Sequence, residues 1–97
     1  VILLEILISD LLKLENPNII DIRSSEKYND NHILGALNIN PQLLINNPDK
    51  YLKRNLSYYI YCQKGYSSRS LVQILRIKGY NAFSIIGGYE AYIVESS

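Results

Sequence analysis

The chemistry of this chain starts from a single cysteine, Cys62, which is followed by Gln63, Lys64, Gly65, Tyr66, Ser67, Ser68 and Arg69. The thiolate is the nucleophilic form of cysteine. A loop running into a helix N-terminus favours it, because the first amides of a helix are unpaired and carry partial positive charge. Gly65 permits a positive φ, so consecutive N–H groups can turn inward around an anion as a backbone nest. Lys64 and Arg69 add positive charge, and Ser67 and Ser68 add hydroxyl donors that also suit helix capping. An isolated cysteine at a strand end is more often a small buried hydrophobe. A filler of that kind does not call for a glycine three residues on, cationic neighbours and a helix start together, and the combination favours a reactive thiol.

The rest of the composition narrows the options. Ninety-seven residues, 47% hydrophobic and 20% charged, make one small globular domain over residues 1–97. One cysteine excludes an intramolecular disulfide or an all-cysteine metal site, and one histidine, His32, leaves little else to hold a transition metal. The apolar opening, residues 1–8, is interrupted by Glu5 and is far shorter than the ~20 residues of a bilayer span. It also lacks the basic leader of a secretory signal, so the expected compartment is the cytoplasm, with no membrane partner. Net charge is +1, too small for a general nucleic-acid-binding field. That total hides a segregation. Residues 1–49 carry seven acidic and three basic groups, whereas residues 50–80 carry seven basic groups and no acidic one. A small anion is the natural partner for the region around Cys62.

The elements that must position the thiol read as alternating strands and helices. Strands are expected at 4–8, 18–22, 37–40, 57–61 and 82–86. Helices are expected from Ser9 or Asp10 as N-cap to Leu14, over 26–29 behind Ser24 or Ser25, over 41–45 with Pro41 in the first turn, over 67–78, and over 89–95. Residues 57–61, Ser-Tyr-Tyr-Ile-Tyr, have the aromatic and β-branched density of a central strand. Leu71, Ile74 and Leu75 share one helical face, and Gly79 suits a helix C-terminus. Such alternation implies an α/β fold with a mostly parallel sheet of about five short strands and helices on both faces. Ligands of open parallel sheets bind at the C-terminal strand ends, which is where Cys62 falls.

Five landmarks in order also carry a family resemblance. They are Asp21-Ile22-Arg23, Glu26-Lys27-Tyr28, the stretch from Asn31 to Ile39 with His32-Ile33-Leu34-Gly35-Ala36, the loop from Cys62 to Ser67, and Gly79-Tyr80 with Gly87-Gly88. On these the chain resembles a rhodanese-homology domain over almost its whole length. Asn31 and Leu34 stand where Gly and Pro are usual, and Tyr92 where Trp is common. The resemblance implies a sulfurtransferase with Cys62 as persulfide carrier, thiosulfate or a persulfide as donor, cyanide or a thiol as acceptor, and a protein persulfide as a further partner. It implies no metal or organic cofactor. Gln63, Lys64, Gly65, Tyr66, Ser67, Ser68 and Arg69 would form the substrate loop, with Lys64 drawing in the anion, Tyr66 lining the mouth, and Asp21 and Arg23 in support.

Two alternatives use the same residues. A phosphatase or arsenate reductase of the Cys-x5-Arg type needs an arginine six residues after the cysteine, where this chain has Ser68, with Arg69 one position late. A non-catalytic rhodanese-like module that only binds partners is the other. His32 is expected to pack rather than to act as a base, and the tyrosines of 57–61 to fill core or cleft rather than to stack nucleic-acid bases.

Overall fold

Alternation along the central strand sorts the core into two layers. In β4 (Ser57–Tyr61), Tyr58 and Ile60 point to one face of the sheet and Tyr59 and Tyr61 to the other, and Cys62 continues the parity of Tyr58 and Ile60. The computed structural model describes residues 4–97, so Val1–Leu3 of the apolar opening lie outside the described residues. The remaining strands are β1 (Glu5–Ile6), β2 (Asn18–Asp21), β3 (Leu37–Asn38) and β5 (Asn81–Ile85). All pair in parallel in the order β1-β5-β4-β2-β3, with Ile20 opposite Ile60 and Ile60 opposite Ser84.

Helices cover both faces, as a parallel sheet requires. On the Cys62 face, α3 (Pro41–Asn46) and α4 (Tyr66–Ile77) bury Leu44, Leu71, Val72 and Leu75 against Ile20, Ile60 and Ala82. On the opposite face, α1 (Ile8–Leu11) and α5 (Gly88–Ser96) pack Ile8, Leu11 and Tyr89 on Ile19, Tyr61 and Ile85. Between β2 and β3 lies α2 (Ser25–Asp30), and Pro48–Lys50 form a 3-10 turn. Among the described residues no helix is long and apolar enough to cross a membrane.

The α/β architecture matches the expectation, with local differences that have physical causes. Among the described residues the first strand spans Glu5 and Ile6, with the Leu4 carbonyl also accepting from Ser84 N, and α1 begins at Ile8 behind Leu7, so Ser9 and Asp10 lie inside the helix and cap nothing. Burial of Ile8 and Leu11 decides that start over capping preference. The strand expected at 37–40 stops at Asn38, because Asn40 turns to cap α3, its Oδ1 accepting from Gln42 N at 2.8 Å. Ser24, rather than Ser25, caps α2 by accepting from Lys27 N at 3.3 Å. Ile74 is partly exposed at the edge of α4, and Ser68 and Val72 take the buried face with Leu71 and Leu75.

Candidate active site

Cys62 leaves the end of β4 buried, 8% exposed, and the next residues fold back over its sulfur. Gly65 is the residue before α4 and adopts φ +99°. A side chain there would be strained by that angle, and its Cβ would also meet Gly87 N at 2.9 Å. With the turn closed so tightly, Gly65 N donates to Cys62 Sγ at 3.1 Å and Ser68 N, in the first turn of α4, donates at 3.3 Å. The Ser68 hydroxyl lies 3.4 Å from the same sulfur. Ser67 and Ser68 therefore do not cap α4; Ser68 brings its amide to the sulfur as a donor and its hydroxyl within reach of it.

The last helix fixes the other half of the loop. Tyr89 N donates to the Cys62 carbonyl at 2.9 Å and Glu90 N to the Gln63 carbonyl at 3.2 Å. In a trans peptide the C=O and the following N–H point in opposite directions, so holding these carbonyls toward α5 turns the amides of Gln63 and Lys64 away from it. Gly88 permits this contact: a Cβ at that position would lie 2.3 Å from the Cys62 carbonyl oxygen. Burial pushes the Cys62 thiol up, but hydrogen bonds from the Ser68 hydroxyl and the amides of Ser68, Gly65 and Lys64 outweigh it and hold the thiol below its ordinary value.

Behind the thiol stands a buried ion pair. Asp21 is fully buried at the end of β2 and receives Arg23 Nη2 at 2.8 Å, Arg23 Nε at 3.1 and 3.2 Å, and Arg23 N at 2.8 Å. Burial disfavours the Arg23 charge, yet the bonds to Asp21 prevail and keep the guanidinium firmly protonated. The guanidinium lies over the Tyr89 ring at 4.0 Å and donates to the Asn31 carbonyl at 2.7 Å and to Gln63 Oε1 at 3.3 Å. Gln63 in turn donates to Glu90 at 3.3 Å, so the loop is tied laterally to β2 and α5.

A groove of about 620 Å³ opens over the sulfur. Its apolar wall includes Ile22, Ile45, Leu71 and Ile74, while Arg23, Lys27, Gln63 and Ser67 supply polar groups. Lys64 and Tyr66 lie elsewhere, in a second depression on the other side of the loop with Ile8, Gly87, Glu90 and Glu95. Arg69 faces β1, where its Nε is 3.7 Å from Glu5 Oε1. The structure thus gathers Cys62, Gly65 and Ser68 around the sulfur, places Gln63, Ser67 and Arg23 with Asp21 beside it, and sets Lys64, Tyr66 and Arg69 apart. His32 stacks on Tyr28 with 3.8 Å between centroids and bonds to the Tyr28 carbonyl through Nδ1.

Two residues had escaped the sequence reading. Lys27 is the groove's exposed cation, one turn along α2 and recognisable only once α2 packs beside the loop. Ser84 on β5 is fully buried with its Oγ 2.7 Å from Ser68 Oγ. Its signal in the sequence was a hydroxyl in the apolar run 82–86.

The chain is similar to known proteins over most of its length. The family model described as rhodanese-like domain matches residues 7–95. A protein named thiosulfate sulfurtransferase GlpE from Actinobacillus succinogenes is 31% identical over 84 residues, 86% of this chain and 75% of that protein. One of the same name from Coxiella burnetii is 32% identical over 84 residues, covering 86% and 78%. Among solved structures, a rhodanese-related protein from Thermoplasma volcanium superposes with a TM-score of 0.85 at 26% identity, covering 94% of this chain and 91% of that one. A human single-domain sulfurtransferase shares the fold, with a TM-score of 0.85 at 23% identity over 97% and 98% of the two chains. With the family model matching nearly the whole chain and the relatives above 30% identity covering most of it, this chain belongs to the rhodanese-like domain family.

Proposed function

We propose that the protein is a sulfurtransferase that moves sulfane sulfur from thiosulfate, through a persulfide on Cys62, to a thiol or cyanide. The observation that carries this reading is the convergence of the Gly65 and Ser68 amides and the Ser68 hydroxyl on one buried sulfur. The similarity to proteins named thiosulfate sulfurtransferase supports it. In the first half-reaction the Cys62 thiolate attacks the outer sulfur of thiosulfate, a new S–S bond forms, and the old one breaks with its electron pair leaving on sulfite. The Cys62 persulfide retains one negative charge, and the inward N–H groups of the loop favour that charge as they do the thiolate. In the second half-reaction the acceptor attacks the terminal sulfur, leaving as thiocyanate or as a new persulfide, and the Cys62 thiolate is restored.

The groove is larger than thiosulfate needs. Its apolar wall of Ile22, Ile45, Leu71 and Ile74 suits a thiol carried on a larger body, such as a protein, better than free cyanide. Lys27 on the groove, and Lys64 from across the loop, draw in the anionic donor. A phosphatase reading loses its arginine, since Arg69 is turned to Glu5.

Intact mass of the reduced protein before and after thiosulfate tests the proposal. The wild type gains one sulfur and loses it to cyanide, while Cys62→Ser gains none and turns over at no more than about a thousandth of the wild-type rate. A wild type that gains no sulfur, or a Cys62→Ser variant near wild-type turnover, overturns the mechanism.

A further inference from the structure

Ser68 faces a choice that its own position does not settle. Its hydroxyl has one proton and three acceptors within reach: Cys62 Sγ at 3.4 Å, the Gly65 carbonyl at 3.4 Å, and Ser84 Oγ at 2.7 Å. If the proton goes to Ser84 or Gly65, the sulfur loses a hydroxyl donor. If Ser84 donates to Ser68, the Ser68 proton is directed away from β5 and toward the loop. Ser84 has Ser68 as its side-chain hydrogen-bond partner, and both residues are fully buried, so no water competes for the arrangement.

We propose that Ser84 is a positioning residue for the reacting thiol: by donating to Ser68 Oγ it turns the Ser68 hydroxyl toward Cys62 Sγ, so that β5, α4 and the loop form a relay of two hydroxyls ending on the thiolate. The relay moves no proton in net terms. When Cys62 carries a proton, Ser68 Oγ can accept from the thiol; when Cys62 ionises, both hydroxyls rotate and each donates one step toward the sulfur. A negative charge on Cys62 thus holds the two dipoles in one direction, which a neutral thiol does not require.

The inference rests on Cys62 being the reacting group, as in the proposed function, but not on the identity of the sulfur donor. Alkylation of Cys62 by iodoacetamide reads the thiolate directly, whether or not the protein transfers sulfur. Ser84→Ala removes one oxygen from a strand position and should raise the pH midpoint of alkylation by about half to one unit, the scale of one net hydrogen bond. Turnover of thiosulfate below that midpoint should fall about three- to tenfold, with the high-pH plateau retained. Ser68→Ala should raise the midpoint at least as far, and Ser84→Ala added to it should change nothing more, because the relay is already cut. The charged groups around the thiol and Ser84, namely Arg23 and Lys27 on the groove side and Glu5 with Arg69 on the β1 side, are the same in every variant. Ser84→Thr, which keeps the oxygen, should retain the wild-type midpoint and serves if the alanine variant does not fold. An unmoved midpoint in Ser84→Ala, an undiminished shift in the Ser68→Ala background, or a raised midpoint in Ser84→Thr overturns the proposal.

Discussion

The groove over Cys62 and the depression on the far side of the loop share the loop as a common wall, yet they are built differently. The groove side holds the sulfur, an apolar surface, and an arginine whose charge is balanced by Asp21. The far side holds Lys64 and the exposed ring of Tyr66, with Glu90 and Glu95 nearby. Amides of the loop turn inward while several of its side chains turn outward, so the residues that look most chemical in the sequence are not those that touch the sulfur. The difference teaches that this loop meets the sulfur through its backbone and Ser68, and that its side-chain charges lie apart from it.

The sharpest way to break this contrast is to remove the buried charge behind the groove. Asp21→Ala leaves the Arg23 guanidinium unpaired with its side chain only 4% exposed, and breaking a buried pair from one side costs about 3–5 kcal/mol. Denaturant unfolding should show that loss. A cost under about 1 kcal/mol would mean that the pair adds little to the groove wall.

A smaller effect is expected at the seam between the two regions. Gly65→Ala combines a φ of +99° with a Cβ 2.9 Å from Gly87 N, a strain of about 1–3 kcal/mol. Relief of that strain opens the loop, so the alkylation midpoint of Cys62 should rise toward the ~8.5 of a free cysteine. The reactive fraction is then lost across the interval between the lowered and the ordinary value and regained above it. Stability and midpoint both at wild type would remove Gly65 from the cup.

The smallest effect compares the two cations directly. Lys27→Ala and Lys64→Ala should each raise the KM for thiosulfate by only a few-fold at low salt, with kcat kept, and the difference from wild type should shrink as ionic strength rises toward ~0.15 M. Lys27, on the groove itself, should give the larger change. A larger change from Lys64 would place the donor's approach on the far side of the loop.

How far the sequence could be read follows from which interactions are local. The strand ending at Tyr61, the cysteine after it, and the glycine just before α4 are neighbours in the chain, so parity and turn chemistry are enough to locate them. The pairing of Asp21 with Arg23 is also local. Ser84 meets Ser68 only through the packing of α4 on β5, and Lys27 meets the groove only through the placement of α2, which no short-range pattern reports. Lys64 and Arg69 were near Cys62 in sequence but left its surroundings, since a tight turn followed by a helix sends successive side chains in different directions.

The grip of α5 on the carbonyls of Cys62 and Gln63 gives the site an order in time. Synthesis proceeds from the N-terminus, so Cys62 exists before the amides of Tyr89 and Glu90 that set the first peptides of its loop. Until those residues have been made and folded, the carbonyls of Cys62 and Gln63 lack their partners on α5 and the loop lacks half of its anchorage. The loop around Cys62 is thus completed only in the finished fold, by the last helix of the chain to be made.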